Sequence, residues 1–461
     1  MTRQDLEQLD HAALVELALR LQDRVAALEG RGGDPPPVPP EKTPQNSSLP
    51  PSKGWKRSLR PPPRGGPLGP KPGHLGTSRW RAEPDQVLPC RPTTCACGAD
   101  LTAVPHRPIG RHQITELPPL RAVVLEAQRS AATCPACGTT TVAAEPAGFE
   151  RGRVFGPRLA AALSYLHQQH HVSYQRLNHL TETLFGLHLS QGALAHHLAH
   201  VAERLLPAAE AIKEQVRTSA VIGSDETGAR VQGRMQWQWV FQTPDASYHT
   251  IVPTRSATVL ADVLGDAVPD VWTSDLYPGQ LTHPAKRCQI CLAHQLRDLQ
   301  YARDCGDRAR PEWRQAAFSE PMQALFRAAI HLANRRDRGE VTLEGAAYQD
   351  AVTRIQRRCD RLLHLKRVAP AGQKLQARYR KHRQRLFVFL DDPRVPPTNN
   401  ASEQALRPSV IHRKVSGGFR SAWGADAHAT VATVLQTARK QGRDLFAALL
   451  EPLGPALPQF A

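Results

Sequence analysis

The spacing of apolar and polar positions divides the chain into stretches of different character. Leu14, Leu21 and Leu28 recur at seven-residue intervals, with Ala18 and Val25 on the adjoining seam and Gly30 as a stop. This predicts an amphipathic helix over residues 5–29, either pairing with a second copy or lying on its own protein. Apolar residues nearly vanish from 31 to 85, where prolines cluster at 35–37, 39–40, 50–51 and 61–63. Such a stretch cannot bury enough surface to offset its ordering entropy and reads as an extended linker. Its basic residues, Lys53, Lys56, Arg57, Arg60, Arg64, Lys71, Arg79 and Arg81, suit a phosphate backbone or a solvated tether equally. From 155 to 206 the period is helical throughout. Pro157 suits a first helical position, Ser173 caps a helix that Gly186 ends, and Ser190 caps another through Leu205. Helix, short glycine turn and helix are the succession of a helix-turn-helix unit, with Gln191, His196, His197 and His200 toward a DNA groove, and equally of an all-helical scaffold that reads no DNA.

The pattern then changes to that of strands. Ala220-Val221-Ile222 is an apolar run that reaches Asp225 and Glu226, Met235 to Phe241 alternates, and Tyr248 to Val252 follows a Pro-containing turn. Residues 256–265 read as a helix closed by Gly265, and Val268 to Ser274 as a buried strand ending on Asp275. The order β-β-β-α-β is that of a ribonuclease H-like sheet, in which the first and fourth strands lie side by side, so that Asp225 and Asp275 meet at neighbouring strand ends. A third acid comes from Pro396-Pro397-Thr398-Asn399-Asn400-Ala401-Ser402-Glu403: the prolines stop one segment, Asn399 or Asn400 caps a helix, and Glu403 falls in its first turn. Arg407, four residues on, shares its face and suits a DNA phosphate. The long stretch between Asp275 and Glu403 implies a helical insertion over 311–390, rich in arginines such as Arg335, Arg336, Arg338, Arg354, Arg378 and Arg383. A DNA channel and a solvated face are both compatible with it.

Charge narrows the partner. Lys and Arg number 59 against 42 Asp and Glu, a formal +17, which favours a polyanion, nucleic acid before a membrane surface. The sequence has no apolar run of about 18–20 residues and no signal-peptide layout, so an intracellular protein is expected. The nine cysteines are too few for a disulfide framework in a chain this long. Cys134-Pro135-Ala136-Cys137-Gly138 spells a zinc knuckle, and Cys95-Ala96-Cys97-Gly98 is its irregular partner. Cys97, Cys134 and Cys137 are expected as three zinc ligands, with Cys95 or Cys90 as the fourth, and residues 113–118 and 122–127 as the strands of a ribbon; the alternative is thiols that hold no metal. Cys288, Cys291 and His294 have helical metal spacing, and packing is the alternative to a metal there. Closely placed carboxylates such as Asp225 and Asp275 repel each other unless a cation intervenes. Two Mg²⁺ (or Mn²⁺) ions among such oxygens suit in-line phosphoryl displacement.

Several multi-residue motifs together resemble the insertion sequence 66 family of bacterial DDE transposases. They are Asp225-Glu226-Thr227, Thr273-Ser274-Asp275 with Tyr277, Cys291-Leu292-Ala293-His294-Gln295-Leu296-Arg297, and Pro397 to Glu403 with Arg407-Pro408 and Arg413-Lys414. Lys42-Thr43-Pro44-Gln45-Asn46-Ser47-Ser48 is similar to that family's linker motif. The resemblance implies an α/β, ribonuclease H-like catalytic core in two parts, 215–310 and 391–461, around the helical insertion. Ahead of it stand the leucine-rich helix (1–30), linker (31–85), zinc ribbon (86–150) and helix-turn-helix (151–210). It implies Asp225, Asp275 and Glu403 as the catalytic, metal-holding triad, and Arg413 and Lys414 join Arg407, Gln191 and His196 as candidate DNA contacts. The implied partners are the element's terminal inverted repeats, target DNA, a second copy in a dimer or higher oligomer, and accessory proteins of the element. The implied location is the bacterial cytoplasm, at the nucleoid. The rival from another class is a non-catalytic, zinc-containing DNA-binding regulator, and a third reading is a nuclease acting on RNA hybrids.

Overall fold

A computed structural model describes residues 20, 39–47, 81–149, 154–309, 318–366 and 368–454. The helix expected over 5–29, apart from Arg20, and nearly all the basic residues of the proline-rich stretch lie outside them. Two compact units divide the described residues: 39–47, 127–177 and 190–454 form one, 81–126 and 178–189 the other.

In the second unit the Cys95 turn is closed by Cys95 N–H to the Ala99 carbonyl and Gly98 N–H to the Cys95 carbonyl, both 2.9 Å, with Gly98 left-handed. The first unit carries its own cysteine turn between strands β1 (Ala131–Thr133) and β2 (Thr140–Val142), which pair antiparallel. There Cys134 N–H reaches the Thr139 carbonyl and Gly138 N–H the Cys134 carbonyl, again at 2.9 Å. The strands expected at 113–118 and 122–127 do not form. Strand pairing falls next to the Cys134 turn because the turn brings its own two arms into register, whereas residues 113–127 have no such local closure.

Helix α1 (Pro157–Gln168) starts on its proline, and α2 (Tyr174–Phe185) ends at left-handed Gly186. Helix α3 (Gln191–Arg217) is capped by Ser190, whose hydroxyl accepts from Ala193 N–H at 3.1 Å. It runs on through Pro207 rather than stopping near Leu205. A proline removes one helical hydrogen bond, and the buried Val201, Leu205, Ala209 and Val216 keep the helix seated on either side of it.

The first unit is built on a five-stranded sheet. Strands β3 (Val221–Val231), β4 (Arg234–Gln242) and β5 (Ser247–Val252) are consecutive and antiparallel. After α4 (Thr258–Leu264), β6 (Val271–Ser274) joins β3 in parallel, and β7 (Arg287–Ile290), a strand not expected from the sequence, joins β6, giving the order β5-β4-β3-β6-β7. One face buries Ile222, Trp239, Phe241 and Trp272 against α4 and the end of α3. On the other side, Val221, Val271 and Ile290 join a core with α5 (Leu292–Ala309) and the insertion helices α6 (Ser319–Asp337), α7 (Ala346–Leu363), α8 (Pro370–Lys381) and α9 (Val388–Asp391).

Two helices complete the sheet's surroundings. Helix α10 (Asn400–Ser416) lies on β3 and β4, and α11 (Ala422–Lys440) runs along the β5 edge, followed by α12 (Leu445–Leu450). An exposed strand edge carries unpaired backbone groups. Here Thr433 and Thr437, one turn apart on α11, accept the N–H groups of His249 and Ser247 at 2.9 and 3.0 Å and so close that edge.

Between α10 and α11 the chain returns to β3, with Phe419 N–H on the Arg230 carbonyl and Gln232 N–H on the Phe419 carbonyl, both 2.8 Å. Gly418 makes this approach at φ +114°, and a Cβ there would stand 2.8 Å from the Arg230 carbonyl oxygen. Gly418→Ala should therefore destabilise the chain by about 1–3 kcal/mol, read as a lower denaturation midpoint.

Candidate active site

Strand geometry places the first two acids. Parallel pairing sets Val221 beside Val271, Ile222 beside Trp272 and Gly223 beside Thr273. Asp225 and Asp275 each follow two residues after the last of these pairs, so they emerge at neighbouring positions. Asp225 accepts from the Glu226 N–H and Asp275 from the Tyr277 N–H, each at 2.9 Å.

Glu403 arrives on α10, and the means of delivery is polar rather than apolar. Asn399 is almost fully buried; its Nδ2 donates to the Ser224 carbonyl at 2.7 Å, next to Asp225, and its backbone N–H donates to the buried Cys291 Sγ at 3.1 Å. Ser402 Oγ donates to Asn399 Oδ1 at 2.6 Å and accepts from Gln242 Nε2 at 2.6 Å. Further along the helix Ser409 accepts from Gln238 at 2.8 Å, and Arg413 donates to the Gly228 carbonyl and to Thr227 Oγ1. Positions 399, 402, 409 and 413 form one helical stripe of hydrogen bonds, with Ala405 and Leu406 against Val240 inside it. Gly223 permits the approach, since a Cβ there would stand 3.2 Å from Asn399 Oδ1 and 3.4 Å from Ser402 Oγ. Asn399 does occupy the N-cap position, but its side chain makes no capping bond, because the carboxamide is committed to Ser224 and Ser402.

The site is rich in negative charge. Burial, then the charges of Asp275, Glu226 and Glu403, raise the Asp225 carboxyl from 3.8 to about 8. Glu403 faces Arg297 at 3.5 Å and His294 at 3.7 Å. Burial and Arg297's charge push the His294 imidazole below its usual value, so the guanidinium is the cation facing Glu403. Among the described residues no three His, Cys, Asp or Glu side chains stand as a ready metal-binding group. The donor chemistry nonetheless fits a hard cation: carboxylate oxygens surround a buried acid that is destabilised when ionised. A hollow of about 370 Å³ opens beside Asp275, lined by Arg255, Tyr277, His294, Arg378 and His382 among others.

Other residues singled out in the sequence are distributed as follows. Gln191, His196 and His200 are exposed at the start of α3, whereas His197 is buried with its Nε2 3.3 Å from the Ala160 carbonyl. Arg407 and Lys414 are exposed on α10, and Arg413 is part-buried on β3. Cys95 and Cys97 belong to one unit, Cys134 and Cys137 to the other. The Ala99 backbone and the Cys95 thiol lower the Cys97 pKa; Thr139 and the Cys134 thiol do the same for Cys137. Cys90 donates to its neighbour Leu88's carbonyl, at 3.7 Å. In the insertion, Arg336 is buried and donates to the Phe389 carbonyl at 2.7 Å, while Arg383 pairs with Asp360 and Arg378 with Asp298. These three arginines hold helices together. Ser402, Ser409 and the docking role of Asn399 are not among the residues expected from the sequence, where their signal is a polar stripe at helical spacing.

Residues 152–427, more than half of the chain, match the family described as "Transposase IS66 family". An uncharacterized protein, y4jO, of Sinorhizobium fredii is 37% identical over 81 residues, which cover 18% of this chain and 25% of that protein.

Two outcomes follow from this geometry. Asn399→Ala should cost about 1–3 kcal/mol in denaturant unfolding, because it leaves buried partners unpaired. In metal-free buffer stability should fall as pH rises from near 3.8 toward about 8, since folded Asp225 keeps its proton across that window and the unfolded chain does not. Asp225→Asn should flatten that slope in thermal melts.

Proposed function

The chain belongs to the IS66 family of transposases, and from that premise we propose that it is a DDE-type enzyme that cuts at the ends of an insertion sequence and joins them to target DNA. The observation that carries the reading is that two adjacent parallel strands and one helix bring Asp225, Asp275 and Glu403 within electrostatic reach of one another, where burial first and then the neighbouring charges raise Asp225 to about 8. The strand order, with only β4 reversed, supports a ribonuclease H-like core.

In this proposal Asp225, Asp275 and Glu403 hold divalent cations, Mg²⁺ or Mn²⁺. Cations held there would supply polarisation of a scissile phosphate and activation of an attacking oxygen, of water or of a freed 3′-hydroxyl. The protein's own groups do the positioning. Asn399 fixes the start of α10 against β3, so that Glu403 faces the strand ends. Arg297 stands 3.5 Å from Glu403 and balances its charge. Arg407 and Lys414 extend a basic face along α10, and Arg413 orients that helix on the sheet.

The same reading gives Gln191 and His196 to recognition of the terminal repeats, as the exposed start of the second helix in a helix-turn-helix. It assigns zinc-binding thiols to Cys95 and Cys97 in one unit and to Cys134 and Cys137 in the other. Two glycine-closed turns and the lowered pKa values of Cys97 and Cys137 support this. Cys95 is preferred to Cys90 because its thiol is the one that bonds Cys97. The leucine-rich segment at 5–29, expected as a helix, is assigned to self-association on DNA. Among the described residues no helix is long and apolar enough to cross a membrane.

Asp225→Asn, Asp275→Asn and Glu403→Gln should each reduce strand transfer below detection in vitro while end binding persists in a mobility-shift assay. Undiminished joining by any one of them would sink the triad. End binding by the unaltered chain without Mg²⁺- or Mn²⁺-dependent cleavage would instead favour a DNA-binding regulator.

A further inference from the structure

Asp275 is the acid with the least secure backbone. It stands just past the end of β6, and the next residue, Leu276, is left-handed at φ +79°, a conformation that costs a non-glycine residue free energy unless its surroundings enforce it. The enforcement comes from Tyr277. Its N–H holds Asp275 Oδ1 at 2.9 Å, and its hydroxyl donates to the Arg255 carbonyl at 2.8 Å. The Arg255 guanidinium lies 3.9 Å from the Tyr277 ring centre and 4.8 Å from that of Trp237 on β4. On the Gly279 side the ring fits only because that residue has no Cβ, which would fall 2.6 Å from Tyr277 Cε1.

Arg255 is in turn fixed by Glu226. Its Nε donates to Glu226 Oε1 at 2.7 Å and its Nη2 pairs with the same oxygen, while the Glu226 side chain is 1% exposed. Gln280, at the far end of the loop, donates to the other Glu226 oxygen and accepts from Ser224 Oγ at 2.9 Å. Ser224 and Glu226 therefore use one face of β3, whereas Gly223 and Thr227 face α10 from the other, the face that strand alternation gives to Asp225. Glu226 borders the acid cluster without facing the same way.

We propose that Glu226 is a positioning residue for Asp275: through Arg255 and Tyr277 it clamps residues 275–280 so that the Asp275 carboxylate is held where a cation can use it. This rests on the reading of Asp275 as a metal-holding acid. Carboxylates and cations arranged around a ligand in this way commonly set its affinity for metal.

The test compares the full chain with Glu226→Ala, Arg255→Ala and the double variant. It reads amide hydrogen exchange over residues 275–282 and the Mn²⁺ concentration that half-saturates thermal stabilisation. Each single variant should speed exchange in that loop and raise the half-saturating Mn²⁺ about tenfold, with no further rise in the double variant and with end-DNA binding retained. Unchanged exchange in the loop, or effects that add in the double variant, would overturn the clamp. So would loss of Mn²⁺ binding in Glu226→Ala with none in Arg255→Ala, which would make Glu226 itself a ligand. If Glu226→Ala does not fold, Tyr277→Leu, which leaves no buried charge unpaired, must give the same rise, and an unchanged value overturns the proposal. An unaltered chain that Mn²⁺ does not stabilise would retire the metal-site reading, while exchange over 275–282 would still decide whether the clamp exists.

Discussion

The attachment of α10 to β3 depends on a hydrogen bond between a side-chain amide and a strand carbonyl, Asn399 to Ser224, made where Gly223 leaves room for it. A helix held only by apolar contacts can slide or rotate on its sheet at modest cost, because hydrophobic burial is non-directional. Buried hydrogen bonds are directional and costly to leave unmade. By repeating them at Ser402, Ser409 and Arg413, the chain fixes both the rotation and the register of the helix that carries Glu403.

That fixity is needed because the acids repel one another. Each carboxylate at the site meets its neighbours differently. Glu226 is buried and neutralised by Arg255, Glu403 is half-exposed and faced by Arg297, and Asp275 is held by a backbone N–H. Asp225 is buried among negative neighbours, and its pKa is raised by that burial first and by their charges second. A fold that concentrates uncompensated carboxylate at one point is destabilised there, and the polar mounting of α10 together with the Arg255 clamp opposes the resulting drift apart.

The positive charge of the chain is likewise divided between uses. Arg336, Arg378, Arg383 and Arg413 are spent inside the structure, on carbonyls, on acids and on a strand. Arg354, Arg357, Arg358 and Arg361 are exposed along α7 and offer a surface to a polyanion. The formal +17 therefore overstates what is displayed to DNA, and the helical insertion combines a structural framework with one basic face.

Much of the core could be read directly from the chain because it depends on local periodicity and chemistry. The alternation of Met235 to Phe241, the apolar run before Asp225, the proline stop before Asn399 and the glycines after helices each act within a few residues. Strand β7 was not legible, since four residues ending in Gln289-Ile290 are too short to show a period. Nor was the continuation of α3 past Pro207, which depends on packing over several turns. The strands expected at 113–118 and 122–127 gave way to a hairpin at 131–142, where a tight turn supplied the closure. By itself the sequence determined which residues are acids at the ends of elements, because residue identity and local pattern are enough for that. Only the tertiary structure decided that Asn399 docks rather than caps, that Arg413 braces a strand, and that Glu226 faces Arg255, because each is a contact between segments far apart in the chain.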